Sequence, residues 1–308
     1  MLTSTGGESI LGVLVMAHGT PSSPEEIARF YTSIRRGRRP SPELLADLNR
    51  RYQAIGGTSP LADITASQVH VLQEALGPEV PVAIGNRFTY PSIEDALGYL
   101  RDQGVVRVAG AVLSPQYSSA TTERYFERAR LACAKSSPPL DLTLVESWHL
   151  DSTLIGFLAS EVSQCLGVDP EAQVVFTAHS LPISALTNGD PYPSQVDGTA
   201  RAVAEAAGLS PGRWSQAWQS AGRTAEEWIG PDIADTLRDL AKDGAGSVVV
   251  CPVGFSADNL ESLYDLDIEA AGVAAELGLA FRRTALPNAD PLVMASLAKR
   301  LMASHAEP

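Results

Sequence analysis

Cysteine and positive charge are scarce in this sequence, and its first apolar run is too short to cross a membrane. The 3 cysteines, Cys133, Cys165 and Cys251, lie far apart without C-x-x-C spacing. Each sits in an apolar helix or strand context, so they read as buried thiols in a reduced compartment. The ligands for a zinc ribbon or an iron–sulfur cluster are lacking. Against 36 Asp plus Glu there are 23 Lys plus Arg, a formal net charge of -13. A nucleic-acid surface needs net or strongly clustered positive charge, so no nucleic-acid partner is expected. The run Leu11–Ala17 has strand length, and Met1–Ile10 carries no basic stretch ahead of it. Neither a signal peptide nor membrane insertion is expected, and the expected location is the cytoplasm. No glycine-rich phosphate fingerprint is present, which argues against nucleotide binding.

What is there fits a globular protein. The 308 residues are 44% hydrophobic and 19% charged, enough for two medium domains with cores of their own. Apolar, β-branched runs recur at Leu11–Ala17, Val80–Ile84, Val105–Leu113, Gln173–Thr177 and Ser247–Val253, with helical patterns between most of them. Ser23-Pro24-Glu25-Glu26, Ser41-Pro42-Glu43 and Ser92-Ile93-Glu94-Asp95 mark helix starts with a cap candidate followed by proline or acids. Ala200–Leu209 and Ala270–Leu279 read as alanine-rich helices. The rhythm is βαβ, and the predicted fold class is α/β with parallel sheets.

The chain also echoes itself. Val13-Leu14-Val15-Met16-Ala17-His18-Gly19-Thr20-Pro21 resembles Val174-Val175-Phe176-Thr177-Ala178-His179-Ser180-Leu181-Pro182, half a chain away. Two lobes that each open on such a strand would place His18 and His179 at the carboxyl edges of their sheets, where open α/β sheets bind ligands. Of the five histidines, these two are the chemical candidates. His70 in a helical pattern, His149 beside Trp148 and His305 in the tail read as packing or solvated residues.

Downstream of Cys251-Pro252-Val253-Gly254-Phe255 comes an acidic segment, Asp258 to Glu269. Glu261, Asp265 and Glu269 are four apart, which puts them on one α-helical face with about 6 Å of rise and about 40° of drift per step. Such a ridge repels itself and calls for solvent, a partner or a cation; hard oxygen ligands suit Mg2+ or hydrated Fe2+, and a carboxylate can also accept substrate protons. Arg35-Arg36-Gly37-Arg38-Arg39, with Arg51 further on, is either a solvated surface run or a site for an anionic substrate. Tyr117, Tyr125-Phe126 and Trp218 could stack a flat apolar ligand or simply fill the core.

Together these segments resemble the ferrochelatase family almost end to end. The likeness runs through Val15-Met16-Ala17-His18-Gly19-Thr20-Pro21, Tyr31-Thr32-Ser33-Ile34-Arg35-Arg36-Gly37-Arg38, Ile55-Gly56-Gly57-Thr58-Ser59-Pro60-Leu61, Ala178-His179-Ser180-Leu181-Pro182, Gly189-Asp190-Pro191-Tyr192, Trp218-Gln219-Ser220 and Gly254-Phe255-Ser256-Ala257-Asp258-Asn259-Leu260-Glu261. The resemblance implies two Rossmann-like lobes, 1–150 and 151–308, each with a parallel four-stranded sheet flanked by helices and a porphyrin cleft between them. A last helix at about 291–302 would pack back across the lobes. It implies insertion of Fe2+ into a porphyrin, with His179 and Glu261 as the catalytic pair that also meets the metal, and Asp265 and Glu269 extending it as a relay. Iron is then a substrate, no tightly bound cofactor is needed, and the acidic ridge is a candidate for Mg2+.

The short form, without a membrane-binding lip or cysteine-rich tail, is similar to Gram-positive-type members that act on coproporphyrin III. By the same resemblance Arg35, Arg51, Ser59 and Tyr125 hold propionates; His18 is expected to meet the substrate as well, and a monomer is expected. Three positions depart from the pattern. His18 stands where tyrosine is usual, on the face opposite His179, and Phe88 and Asn259 stand where histidines are common. The Ala-His-Gly start is also similar to sirohydrochlorin cobalt and nickel chelatases. These, a protoporphyrin IX ferrochelatase and a non-catalytic porphyrin carrier are the alternatives.

Overall fold

The computed structural model describes residues 10–186, 189–222 and 226–305. The expectation for the start of the chain falls largely on residues outside this range. The first half builds a sheet from β1 (Leu11–Ala17), β2 (Val82–Asn86), β3 (Arg107–Val112) and β4 (Asp141–Val145), in the order β2-β1-β3-β4. The second builds another from β5 (Gln173–His179), β6 (Trp214–Gln219), β7 (Ser247–Cys251) and β8 (Ala280–Arg283), in the order β6-β5-β7-β8. Every pairing is parallel. The fold is therefore α/β, with two parallel four-stranded sheets flanked by helices.

Position explains which strands were legible. The inner strands β1, β3, β5 and β7 are covered on both faces and read as near-continuous apolar runs. The sequence pattern missed β4, β6 and β8, all of them sheet edges. An edge strand pairs on one side and is half open, so β6 can be Trp-Ser-Gln-Ala-Trp-Gln and β8 Ala-Phe-Arg-Arg without losing its place.

The crossovers are α1 (Ile27–Ile34), α2 (Pro42–Ala54), α3 (Leu61–Leu76), α4 (Ile93–Asp102) and α5 (Glu123–Lys135) in the first half, and α6 (Ser152–Val168), α7 (Tyr192–Ala206), α8 (Ile233–Lys242), α9 (Ala271–Glu276) and α10 (Pro291–Ala303) in the second. Ser92 and Asp95 form a capping box on α4, and the Ser41 hydroxyl accepts from Leu44 N–H at 3.4 Å. Ser23 instead precedes a single tight turn, Pro24–Glu26, that leads into α1.

Helix α10 lies against α3 and α6. Its Val293, Met294, Leu297 and Leu301 share one core with Val13 and Leu72 of the first sheet's layer and Leu158 and Val174 of the second's. At about 1.5–3 kcal/mol for each fully buried apolar side chain, this helix contributes strongly to holding the halves together. Asp151, which caps α6, also accepts from Ser296 at 2.8 Å and pairs with Arg300 at 3.5 Å, so the cap and the last helix are tied by one carboxylate.

Between Leu260–Glu261 and α9 the chain forms neither the α-helix nor the continuous acidic ridge expected from the four-residue spacing, but a π-helix over Ser262–Ala270. Its i→i+5 bonds change the angular step, so the three acids no longer share one environment. Glu261 is half-buried, Asp265 is only 6% exposed and Glu269 is exposed.

Candidate functional site

Strands β1 and β5 hold equivalent places in their sheets, and each delivers a histidine at its carboxyl end. The Nδ1 of His18 lies 3.0 Å from the Gly19 carbonyl, and the Nδ1 of His179 lies 2.5 Å from the Ser180 carbonyl. A carbonyl oxygen only accepts, so each Nδ1 must carry the proton and donate. In both rings Nε2 is the nitrogen that this contact leaves for other partners. The repeated strand–Ala–His pattern thus makes the same Nδ1–H to carbonyl contact twice.

Both rings line one cavity of about 410 Å³ between the sheets, together with Tyr125 and Glu261. His18 is open to the cavity, yet flanked by Phe88 at 4.7 Å and Phe30 at 5.7 Å between ring centroids. Desolvation by these surroundings lowers its pKa, outweighing the opposing pull of the Glu261 carboxylate. Glu261 lines the cavity, and the loop leading to it is anchored on β5, where Gly254 N–H donates to the Thr177 carbonyl at 3.1 Å. Gly254 sits where a Cβ would come within 2.6 Å of the Ala178 Cβ, so glycine alone lets this loop lie against the strand that carries His179. Asn259 accepts from Ser262 N–H at 2.9 Å and fixes the first turn after Glu261.

The remaining expected residues fall elsewhere. Arg51 lines a second recess of about 430 Å³ with Asp265 and Glu269. It donates to Asp265 at 3.2 Å and to Asp47 at 3.1 Å, over the Tyr264 ring at 5.1 Å. Asp265 also accepts from the Ser220 hydroxyl. Burial, with Glu261 and Glu269 nearby, pushes its carboxyl up to about 6 despite the Ser220 hydrogen bond and the Arg51 charge. Arg35 belongs to a surface recess with Arg36 and Arg38. The Ser59 hydroxyl is buried and accepts from Leu61 N–H at 3.3 Å, at the start of α3. Of the four expected propionate contacts, Tyr125 is the one on the cavity wall. Among the described residues no group of three or more His, Cys, Asp or Glu side chains is arranged to hold a metal ion.

Two arginines border the cavity: Arg36, which belongs to the arginine run expected to meet an anion although Arg35 was the expected propionate contact, and Arg87, which the sequence did not single out. Arg36 has φ 56°, the left-handed backbone that ends α1 and turns it, rather than Arg35, to the cavity. Arg87 follows β2 and stacks over Phe88 at 4.7 Å and Tyr125 at 5.2 Å, donating to the Thr121 carbonyl at 3.3 Å. The available signal was its place just past the carboxyl end of β2, the same edge that presents His18. Gln116, 2% exposed, is a further wall residue; its amide nitrogen donates to Val253 O at 3.0 Å and Thr199 Oγ1 at 3.2 Å.

Known proteins share this fold and much of this sequence. The SirB chelatase structure from Bacillus subtilis with Fe3+ superposes with a TM-score of 0.58, covering 96% of both chains at 14% identity, and the CbiX structure with 0.53 at 17% identity, covering 95% of this chain and 98% of that one. At such identities the likeness is one of fold. Among sequences, coproporphyrin III ferrochelatase of Geobacillus kaustophilus is 40% identical over 96% of each chain, and that of Bacillus subtilis is 40% identical over 94% of this chain and 96% of its own. A ferrochelatase of Thermus thermophilus is 43% identical over 91% of this chain and 95% of its own. The family model for ferrochelatase matches residues 11–305, so the chain belongs to the ferrochelatase family of metallochelatases.

Proposed function

We propose that the protein inserts Fe2+ into coproporphyrin III to give iron-coproporphyrin, a step of haem synthesis. Family membership and the curated relatives named for this activity support the reading. The observation that carries it is a single cavity lined by His18, His179 and Glu261, with each imidazole Nδ1 held by a backbone carbonyl. A free-base porphyrin has two inner N–H protons that must leave as Fe2+ enters, giving the neutral iron complex and two protons. A base on one face and a ligand on the other suit that exchange.

In this reading the Nε2 of His179 accepts an inner proton, and Glu261 takes the second or guides Fe2+ to the same face. Asp265 and Glu269, further along the π-helix, carry protons on toward the second recess. His18 meets the inserted iron from the opposite face, as a nitrogen ligand. The propionates of coproporphyrin are anchored by Arg36 and Arg87, with Tyr125 beside them, since paired N–H donors suit carboxylates. Iron is a substrate, and no resident cofactor enters. Because His18, His179 and Glu261 come from one chain, a monomer suffices. Among the described residues no helix is long and apolar enough to cross a membrane, and we place the enzyme in the cytoplasm.

Anaerobic turnover with Fe2+ and either coproporphyrin III or protoporphyrin IX tests the proposal. The expected result is a clearly higher kcat/KM for coproporphyrin. A preference for protoporphyrin would overturn the substrate assignment, and binding without metal insertion would make the protein a carrier.

A further inference from the structure

The segment Gly189-Asp190-Pro191-Tyr192 is given no role in the chemistry above, although Tyr192 borders the cavity, and it joins the two halves at a single carboxylate. On the side of the first sheet, the Asp190 carboxylate accepts from the Ser118 hydroxyl at 3.1 Å, from Ser119 N–H at 2.9 Å and from the Ser119 hydroxyl at 2.6 Å. On its own side it accepts from Tyr192 N–H at 2.9 Å, opening α7. These donors hold its carboxyl below the usual range in spite of the desolvation that opposes them. Tyr192 is buried, and its ring packs against Trp218 at 5.8 Å. Its hydroxyl donates to the His179 carbonyl at 2.8 Å.

The chain of contacts therefore runs from Ser118 and Ser119, beside the Gln116 wall of the cavity, through Asp190 and Tyr192 to the backbone of His179. The imidazole has little freedom of its own, because its Nδ1 is tied to Ser180 one residue on. Its height above a bound macrocycle tracks the backbone, and the backbone is held by Tyr192.

We propose that Asp190 and Tyr192 are positioning residues that couple closure of the two halves to the placement of the His179 imidazole. The proposal rests on His179 being the proton acceptor. A base misplaced by a fraction of an ångström loses rate in the bound complex, while the rest of the cavity still holds the porphyrin.

The test uses Tyr192→Phe, which deletes one hydroxyl and keeps the ring, beside Ser119→Ala and Asp190→Asn. For each, kcat and KM for porphyrin are measured with Fe2+, together with porphyrin affinity by fluorescence quenching and the melting temperature. The expected result for Tyr192→Phe is a kcat about tenfold lower with KM and affinity unchanged within about twofold; Asp190→Asn should show the same split more strongly. An unchanged kcat in Tyr192→Phe, or a fall in affinity and melting temperature that accounts for the lost rate, overturns the proposal. His179→Ala serves as the reference. If it stays active, the reading of His179 as the base fails; if it is inactive while Tyr192→Phe is not, only the positioning role fails.

Discussion

Arg51 on α2 and Asp265 on the π-helix are joined across the two halves at 3.2 Å, in the recess beside the porphyrin cavity rather than in it. The residue expected to anchor a propionate is already committed to a buried carboxylate. Its removal should act first on stability: Arg51→Ala leaves Asp265 buried without its cation and should cost about 3–5 kcal/mol at pH 7, read by chemical denaturation. A change confined to KM for porphyrin would instead restore Arg51 as a substrate contact.

The same carboxyl sets a pH dependence. Its folded pKa of about 6 lies above the ordinary aspartate value, so the folded state binds the extra proton and this group's contribution to stability falls as pH rises from about 4 through 6. Asp265→Asn removes the titration. Relative to the variant, the wild type should lose up to about 3 kcal/mol between pH 4 and pH 7. Parallel stability curves over that window would show that Asp265 titrates normally.

Glu261→Gln keeps the shape of the side chain but can neither take a proton nor carry charge. Insertion should fall by at least about a hundredfold, the lower end of general acid–base contributions, while fluorescence titration shows nearly unchanged porphyrin binding. Activity above roughly a tenth of wild type would remove Glu261 from the chemistry.

His18 already lies between two phenylalanines, so His18→Phe should fold and fill the same space. Insertion should continue, but the iron-porphyrin product should lose nitrogen ligation on that face and be held less tightly. Absorption and resonance Raman spectra of the product complex read the ligand directly, and identical spectra would exclude His18 from coordination.

Arg87→Ala should raise KM for coproporphyrin about tenfold, as loss of a charged hydrogen bond does, and affect protoporphyrin less because it presents fewer carboxylates. Equal effects on both would point to the stacking of Arg87 on Tyr125 and Phe88 as its sole role.

The amino-acid pattern alone carried the inner strands and the two Ala-His strand ends, while the pairing of His179 with Glu261 came from the family resemblance. Burial on both faces of a parallel sheet writes itself as apolar runs, and the carboxyl end of each run marks the edge where chemistry is presented. The pattern could not show the edge strands β6 and β8, whose half-open position tolerates glutamine and arginine. Nor could it choose between Arg35 and Arg36, neighbours that a single left-handed residue sends in different directions. Spacing by four suggested one row of acids on an α-helix. The tertiary structure made a π-helix there, with Arg283 of β8 bonded to Asp267 within it and to Asp258 just before it, and paired Asp265 with an arginine distant in sequence. Local periodicity reports which side of an element is buried. Which charge meets which is decided by long-range packing, and in this protein that choice separates the residues of the cavity from those that hold it together.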